Sequence, residues 1–512
     1  MSTKSIISLN SLQNREKTKD TIPCRIEFIK DLLKGNKLES LVDFDNTNTE
    51  CYRPPPKNND ESSSRGSHDT RIVLKKRIHD FTNVISEIGG KLKYIKSGTS
   101  GHTFKGEIID KHGSFEYAVK VVAYPRKERY GNINDVRRPE NAEVLMIKLL
   151  SYFIVKKQTP HIVLPIGTFD TNINTFIDLI DKNVVDKNND KYCNFVQKHK
   201  DNQYYDNVSI LISEWANRGD LLDYIRNNYK QFTPIHWKVI IFQILSVLAV
   251  IQSKYPSFRH NDMKANNILI HRITKQNRRF TYKVVKNTYK VPNIGYHIKL
   301  WDFDFACIPG VVDNKKVQAG WTREINVTPE ENKYYDIHYF FNTLIKKGFC
   351  QEIMSGDYVP SELKEFIDRV VPKKYQKTGT KYVHKRGRIL VKNEYTSPDE
   401  LLKNDEYFEE FRQDVKSSKT KKNNEDTTMS NITNFLKSSS NDNINVIDLL
   451  GKSKKRSKKS SKNNSKNKKL NKEKTPKRKS KTSSRKKKNK EKQLSRTISS
   501  EIRQLDPDMM FD

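Results

Sequence analysis

The spacing of apolar and polar positions divides the chain into a β-rich part followed by a helix-rich part. Residues 92–95, 103–109 and 115–122 alternate in character and are separated by turn residues, which predicts three strands joined by short connections. A strongly apolar face over residues 141–153 predicts a helix after them, and residues 209–212 predict a further strand. This order is typical of an α+β domain with a sheet at its N-terminal end.

The helix-rich part begins with residues 221–226 and 237–251. Its longest apolar run, residues 239–251, is interrupted by Gln243 and Ser246 and is too short to span a bilayer. We therefore expect a buried helix there and no membrane span. The N-terminus lacks an apolar segment, so no secretory signal is expected either.

The N-terminal 87 residues are polar and contain a Pro triplet at 54–56 and a Ser-rich stretch at 62–64. We expect this extension to be mostly disordered. Residues 26–42 are the exception, because they carry helix-like periodicity at Ile26, Ile29, Leu32 and Leu33. This predicts a short helix packed on the main domain, with a docking helix for a partner as the alternative.

The main domain is predicted to cover residues 88–412, with two insertions. Residues 170–207 are rich in Asn, Asp and Lys and predict an inserted loop. Residues 272–296 form a second insertion, in which residues 278–286 predict a basic hairpin. This hairpin is either a contact for substrate or nucleic acid or a surface elaboration without a binding role.

The net charge of +35 is concentrated in a tail that we expect to be disordered, residues 413–512. Residues 452–496 alone contain 23 Lys or Arg against two Glu, about +21 of the total. With almost no aromatic residues for stacking, this tail would attract nucleic-acid phosphates without reading sequence. Nuclear import and phosphorylation by the chain's own activity are the alternatives.

Five scattered cysteines without a C-x-x-C pair argue against a disulfide framework or a zinc site. They favour an intracellular, reducing compartment, with the nucleus or a virion as candidate locations.

The strongest chemical signal lies in a loop after the long apolar helix. Asp262 is followed by Lys264 and Asn267, and Asp302 follows a β-like run at residues 297–301. Phosphoryl transfer requires a carboxylate near the attacking hydroxyl, a cation on the migrating phosphate and oxygen ligands for Mg²⁺. This spacing resembles the HRDxKxxN and DFG motifs of the protein kinase family.

The predicted strands carry further kinase-like features. Gly98 and Gly101 resemble the glycine-rich loop that admits ATP phosphates close to the backbone, although Lys96 occupies the place of the family's first glycine. The third strand resembles the V-A-I-K motif. The resemblance implies that Lys120 holds the α and β phosphates and that Ala118 covers the adenine.

The remaining nucleotide contacts follow from the same resemblance. Glu143, on the core-facing side of the predicted helix, is the expected partner of the motif lysine, with Glu140 as the alternative. Residues 213–221 resemble the hinge between the kinase lobes. The backbone of Glu214 and Ala216 would pair with adenine, and Asp220 would accept a hydrogen bond from the ribose.

The resemblance implies a two-lobed protein kinase-like fold, with a small β-rich N-lobe over residues 88–216 and a larger α-rich C-lobe over residues 217–412. Helices resembling those of the family are expected over residues 333–340 and 397–408.

The implied activity is an ATP-dependent serine/threonine protein kinase. Asp262 would orient the substrate hydroxyl and accept its proton, and Lys264 would neutralise the migrating phosphoryl group. Asn267 and Asp302 would hold Mg²⁺. Lysine at position 264 indicates serine or threonine as the acceptor in a protein substrate.

Two substitutions depart from the family pattern. Asn261 replaces the arginine that binds a phosphorylated activation segment, so activity should not require that phosphorylation. Asp304 replaces the DFG glycine and adds charge beside the metal site. These departures, with the long insertions, resemble kinases of large DNA viruses. The alternatives are a pseudokinase scaffold, supported by Asp304 and Lys96, and a nucleic-acid-associated protein led by its basic tail.

Overall fold

The computed structural model describes residues 21–45, 73–98, 101–110, 113–273, 278–346 and 348–412. The Pro triplet, the Ser-rich stretch and the basic tail lie outside the described residues. The described chain has the α+β architecture that the sequence predicts, with a β-rich N-terminal part and a helical C-terminal part.

The N-terminal part is built on a five-stranded antiparallel sheet with the strand order β1-β2-β3-β5-β4. Its strands are β1 (Lys91–Ser97), β2 (Gly101–Asp110), β3 (Gly113–Pro125), β4 (Pro165–Asn172) and β5 (Tyr204–Glu214). The three strands predicted first are all present, with wider bounds. The pairing places Ala118 of β3 beside Ser213 of β5, so the end of β5 lies next to the lysine strand.

The described N-terminal part also contains four helices: α1 (Ile22–Leu33), α2 (Phe81–Ile88), α3 (Pro139–Val155) and α4 (Asp190–Lys200). Helix α3 is the one predicted over residues 141–153, and nearly all of its side chains are buried. Proline at its first position suits a helix start, because that position needs no N–H donor.

Helix α4 corrects the prediction of a loop over residues 170–207. Its sequence is polar, with Tyr192 and Phe195 as its two buried residues. Both rings pack on His102 of β2, with centroid distances of 5.3 and 4.4 Å. Two aromatic anchors hold the helix on the sheet although its apolar periodicity is weak, which is why the sequence pattern missed it.

Helix α1 begins four residues earlier than the predicted periodicity and ends at Leu33. It packs on the sheet, where Phe28 stacks on Phe115 with ring centroids 5.6 Å apart. Further on, the backbone N–H of Leu41 donates to the carbonyl of Ile166 in β4 at 2.9 Å. The packed structure therefore starts upstream of the boundary predicted at residue 88.

The C-terminal part is mainly helical and surrounds one long buried helix, α6. Its helices are α5 (Leu221–Asn228), α6 (Pro234–Lys254), α7 (Gly320–Glu324), α8 (Tyr335–Leu344), α9 (Glu352–Ser355), α10 (Ser361–Val370), α11 (Lys373–Gln376) and α12 (Pro398–Asn404). By length and composition α6 would pass for a membrane span, but 89% of its apolar window is buried inside the fold. It is the core helix that the sequence predicted.

The described residues of the C-terminal part include two strand pairs. β6 (Ile268–Arg272) pairs with β9 (Tyr296–Leu300), and β7 (Arg279–Val284) pairs with β8 (Asn287–Pro292). The second pair is the hairpin predicted in the insertion, and it extends beyond residue 286. Its Tyr282 and Tyr289 each pack edge-on against Phe242 of α6, with centroid distances of 5.2 Å. One face of this insertion therefore belongs to the core.

Candidate active site

The loop after α6 is shaped by a buried carboxylate on α8. Asp336 accepts hydrogen bonds from the backbone N–H groups of His260 at 2.7 Å and Asn261 at 2.9 Å. Asp336 belongs to the helix that the resemblance predicts over residues 333–340, and it braces the backbone of the loop before Asp262. Asn261 has a φ of +63°, a left-handed conformation that asparagine tolerates better than most residues. The brace and this turn together aim the following residue, Asp262.

Asp262 lies at the centre of a group of polar side chains. The Asn267 amide nitrogen donates to its Oδ2 at 2.9 Å, and Lys264 Nζ lies 3.2 Å from the same atom. Arg388 Nη2 donates to Oδ1 at 2.7 Å. Although burial opposes ionisation, Lys264 and then Arg388 lower the pKa of Asp262. The carboxylate is therefore held ionised and in one orientation.

Lys120 of β3 contacts two carboxylates. Its Nζ lies 2.5 Å from Glu143 Oε1 on α3 and 3.1 Å from Asp302 Oδ1. Glu140, the alternative partner, pairs instead with Arg138 at 3.1 Å. Burial opposes ionisation of Asp302, but Lys120 outweighs it and lowers the pKa of Asp302 to about 2. The structure thus brings Lys120, Glu143 and Asp302 together.

The pairing of β6 with β9 brings the loop of Asp262 and the loop of Asp302 side by side. Ile268 is opposite Leu300, so Asn267 and Asp302 lie at the same end of this strand pair. His260 reinforces the junction, because its Nε2 is 3.0 Å from the carbonyl oxygen of Trp301. All four residues predicted from the loop motifs lie in these two adjoining loops.

Asn267 and Asp302 suit a hard divalent cation. The Asn267 nitrogen is engaged by the backbone carbonyl and the side chain of Asp262, which leaves its amide oxygen for a cation. Amide and carboxylate oxygens are the ligands that Mg²⁺ prefers. Within the described ranges, no three His, Cys, Asp or Glu side chains are grouped to hold a metal. A cation here would therefore also take oxygens from water or from phosphates.

The two glycines predicted to face ATP lie at the turn between β1 and β2. The Gly98 N–H donates to the Gly101 carbonyl at 2.8 Å. A Cβ at Gly101 would lie 1.7 Å from the Val121 carbonyl oxygen, so the close approach of β2 and β3 requires glycine there. Lys96, in place of the family's first glycine, is exposed on β1. Residues 99 and 100 of this turn are not among the described ones.

The predicted hinge lies at the end of β5. Ala118 and Ala216 are both buried there. The Glu214 side chain is bound by Arg25 through two bonds, 2.9 and 2.5 Å, by Lys299 at 2.8 Å and by the Leu164 N–H at 2.8 Å. This role of the glutamate side chain was not predicted, because the hinge resemblance concerns its backbone.

Asp220 caps the start of α5, where its carboxylate accepts from the Asp223 N–H at 3.0 Å. Burial raises the pKa of Asp220, which this N–H bond only partly offsets. The helix cap uses one oxygen of the Asp220 carboxylate. The contact of Asp220 with the ribose stays a prediction.

The two substitutions in the kinase-like motifs are both compensated by partners. Asp304 Oδ2 lies 2.5 Å from Lys316 Nζ, so its extra charge is paired. The Asn261 amide donates to the Phe305 carbonyl at 3.1 Å and connects the loop of Asp262 to the segment after Asp302. Neither substitution leaves an unpaired charge at the site.

Sequence reasoning missed three cations of this site: Arg25, Lys299 and Arg388. Arg25 lies four residues before Ile29, on the buried face of α1. Arg388 precedes the apolar run Ile389-Leu390-Val391. Arg25 and Arg388 are each a single charged residue beside apolar positions. This pattern would have identified both as candidates for a buried ion pair, because an arginine is rarely buried without a partner.

Comparison with known proteins supports the same family. A family model of poxvirus serine/threonine protein kinases matches residues 129–391. A serine/threonine-protein kinase of Acanthamoeba polyphaga mimivirus is 44% identical over 414 residues, which cover 80% of this chain and 84% of the mimivirus protein. Serine/threonine-protein kinase 2 of Fowlpox virus is 28% identical over 232 residues, 43% of this chain and 47% of its own length. The chain therefore belongs to the poxvirus serine/threonine protein kinase family.

Proposed function

We propose that this kinase transfers the γ-phosphoryl group of Mg-ATP to serine or threonine hydroxyls of a protein. The main support for this proposal is that two complete groups of polar side chains lie next to each other. Lys120 with Glu143 and Asp302 forms a phosphate and cation site, and Asp262 with Lys264 and Asn267 forms a hydroxyl site beside it. Positioning and electrostatic stabilisation are what phosphoryl transfer needs from a protein.

The acceptor side depends on Asp262. Its ionised carboxylate would take a hydrogen bond from the substrate hydroxyl and then its proton. Lys264, whose Nζ lies 3.2 Å from this carboxylate, would neutralise negative charge on the migrating phosphoryl group. Asn267 holds Asp262 by its nitrogen and would offer its oxygen to Mg²⁺. One side chain would thereby position both the base and the cation.

The nucleotide side depends on β3 and the end of β5. Lys120, oriented by Glu143, would bind the α and β phosphates, and Mg²⁺ on Asp302 and Asn267 would neutralise phosphate charge. Ala118 would cover the adenine and the backbone of Glu214 and Ala216 would pair with its edge. Gly98, Gly101 and Asp220 are the further nucleotide contacts, near the phosphates and the ribose.

The alternative is a pseudokinase that binds ATP without turnover. In the sequence, Asp304 and Lys96 are the two residues that support this alternative. The ion pair of Asp304 with Lys316 offsets the extra negative charge that would otherwise repel ATP phosphates near Asp302. Lys96 is exposed on β1. These contacts favour an active enzyme.

The test is Mg-ATP-dependent phosphorylation of a generic basic protein. Asp262→Ala, Asp302→Ala and Lys120→Met should each reduce transfer by roughly a hundredfold or more. Two exposed positions provide matched controls, Asp357→Ala and Lys93→Met, which should keep wild-type rates. Thermal unfolding would show whether each variant is folded. Full transfer by all three site variants would refute the assignment, and ATP binding by the wild type without turnover would indicate the pseudokinase.

A further inference from the structure

The β7–β8 hairpin has one buried face and one exposed face. Buried or half-buried residues alternate with exposed ones along β7, and the exposed ones are Arg279, Thr281 and Lys283. The register places the exposed Lys290 of β8 opposite Thr281. Because alternate side chains of a strand point to opposite faces of a sheet, these four residues share one face, which we call the outer face.

The buried face fixes the hairpin on the rest of the fold. Besides its contact with Phe242, the Tyr282 ring stacks on His161 with centroids 5.5 Å apart, and its hydroxyl oxygen lies 3.0 Å from His161 Nε2. Phe280 packs on His297 with ring centroids 5.2 Å apart. The outer face therefore has a fixed support, so little conformational entropy would be lost when it binds a partner.

The outer face and the adjoining turn carry cations without a matching acid. Residues 278–293 contain no Asp or Glu and five exposed cations: Arg278, Arg279, Lys283, Lys286 and Lys290. None of the five forms an ion pair with a carboxylate that the structure describes. Protein surfaces usually mix charges of both signs, because like charges held close together repel. This concentrated positive surface would therefore be stabilised by an anionic partner.

The turn between the two strands contains a residue that suits it poorly. Val284 pairs with Asn287, so Val285 and Lys286 form a two-residue turn. Val285 has a φ of +53°, a left-handed conformation that a β-branched residue rarely adopts, and it is 45% exposed. Glycine or asparagine would adopt such a turn at lower cost. Backbone strain of this kind is concentrated at sites that contact ligands, which makes Val285 a candidate contact residue.

The exposed valine among lysines distinguishes between two kinds of anionic partner. Nucleic acid would be held here through its phosphates alone, because neither the outer face nor the turn has an aromatic ring on which a base could stack. Val285 would add nothing to those contacts. An acidic protein segment would use both features, since its carboxylates would pair with the cations and an apolar side chain would cover the valine.

We propose that the outer face and Val285 form a docking site for a protein partner, through an acidic segment of that partner with an apolar residue among its carboxylates. The hairpin lies in the segment that joins β6 to β9, at the end of this strand pair away from Asn267 and Asp302. None of its residues belongs to the groups around Asp262 and Lys120. The docking site is therefore separate from the reaction site, and this inference does not depend on the proposed function.

The experiment uses the full chain and a labelled peptide with a central leucine between glutamates. A matched peptide has serine in place of the leucine. A carbodiimide joins the glutamate carboxylates to adjacent lysine amines, and mass spectrometry of the digested protein identifies those lysines. We expect cross-links at Lys283, Lys286 and Lys290, about tenfold more from the leucine peptide than from the serine peptide, because burial of the leucine adds to the binding energy. Lysines of the basic tail should cross-link equally to both peptides.

The first variant, Val285→Asn, keeps every charge and removes the apolar side chain. Asparagine tolerates a positive φ better than valine, so this variant should unfold at the same temperature as the wild type or a higher one. Its hairpin lysines should nevertheless cross-link to both peptides equally. If the turn has no binding role, the variant will keep the wild-type preference for leucine, and this result would contradict the inference.

The second variant, Lys283→Glu with Lys290→Glu, reverses charge on the outer face. It should weaken binding of the leucine peptide, measured by fluorescence anisotropy, about tenfold. Lys187→Glu with Lys377→Glu is the matched control, because both lysines are exposed outside the hairpin and the charge change is equal. Its affinity should stay close to that of the wild type. If the second variant does not fold, Val285→Asn and the cross-links of the wild type give the answer.

The inference would be overturned if the wild-type hairpin lysines cross-linked no more than Lys187 and Lys377, or equally to both peptides. It would also be overturned if the folded charge variant bound a duplex DNA more weakly but the peptide unchanged, since the face would then be a nucleic-acid surface. Phosphorylation of a short neutral peptide should be the same in all variants. Failure of the wild type to phosphorylate any peptide would reject the proposed function and leave the docking result unaffected.

Discussion

Arg25 on helix α1 holds the Glu214 side chain at the end of β5, although 189 positions separate them in sequence. Their side chains are 7% and 11% exposed, so the ion pair is buried. Burial opposes ionisation of the glutamate, but Arg25 and then Lys299 lower the pKa of Glu214 to about 2. The N-terminal segment is therefore part of the support of the predicted hinge.

Removing this arginine should be costly. In Arg25→Ala, Glu214 would keep Lys299 but lose its bidentate partner, and breaking a buried pair from one side costs about 3 kcal/mol. We expect a lower free energy of unfolding by urea and a higher KM for ATP. Arg77→Ala is the matched control, since Arg77 and Glu39 form an exposed pair at 3.0 Å that should contribute less than about 1 kcal/mol. Equal effects of both variants would contradict this role.

Arg388 should act as a positioning residue for Asp262. It also lies over the Tyr339 ring, with its guanidinium carbon 4.2 Å from the ring centroid, so its place is fixed. Arg388→Met should lower kcat about tenfold or more and leave KM for ATP within about twofold. Arg388→Lys, which keeps the charge, should retain part of the rate. An unchanged kcat in a folded Arg388→Met enzyme would show that Asp262 is oriented without it.

Activity should not require phosphorylation of the segment after Asp302. Arg259, a buried cation, donates to the Thr328 hydroxyl at 2.9 Å and to the Asn326 carbonyl at 2.6 Å. The Thr322 hydroxyl is buried and donates to the Ala319 carbonyl at 2.6 Å. These bonds order the segment without a phosphate.

Phosphatase-treated enzyme, checked by intact mass, should therefore keep its activity within a few-fold. Thr322→Ala with Thr328→Ala is a less clean test, since each change also removes a structural hydrogen bond worth about 1 kcal/mol. Loss of nearly all activity on dephosphorylation, with the fold preserved, would contradict the prediction.

The small side chain of Ser213 should leave space behind the adenine. It is 1% exposed and lies opposite Ala118 on β3 and Pro165 on β4. ATP-competitive inhibitors with a bulky group on the adenine-like ring should bind the wild type, and Ser213→Phe should exclude them while KM for ATP changes little. The comparison is the inhibition constant of one bulky inhibitor and its unsubstituted parent. Equal inhibition of both enzymes would place the hinge elsewhere.

The basic segment over residues 452–496 should bind DNA or RNA with little sequence preference and lose affinity steeply as salt rises. Removing the residues after 416 should abolish this binding and leave phosphorylation of a small peptide unchanged. Fluorescence anisotropy at several salt concentrations measures the first and a peptide assay the second. If the truncated chain still binds nucleic acid, the β7–β8 hairpin becomes the site to test, through Arg278 and Arg279.

The parts of the fold that the sequence predicted are those determined by local spacing. Asp262, Lys264 and Asn267 lie within six residues, and Glu143 lies on a helix whose apolar face identifies its direction. The missed features depend on distant partners. Arg388 binds a carboxylate 126 positions away, and helix α4 is held mainly by two of its own aromatic rings, which pack on His102 of β2. Periodicity in a single chain does not contain such pairings.

The five residue pairs that join β6 to β9 have a consequence for how this kinase can diverge. Asn267 and Asp302 lie at one end of this strand pair, and the segment that connects the two strands leaves from the other end. The strand pairing, not the connecting segment, therefore fixes the spacing of the two residues. That segment contains the β7–β8 hairpin. Substitutions at its surface residues, and insertions or deletions in it, should therefore not move Asn267 and Asp302. Within such a lineage, the sequence between the two motifs should therefore vary in length more than the short strands that bound it.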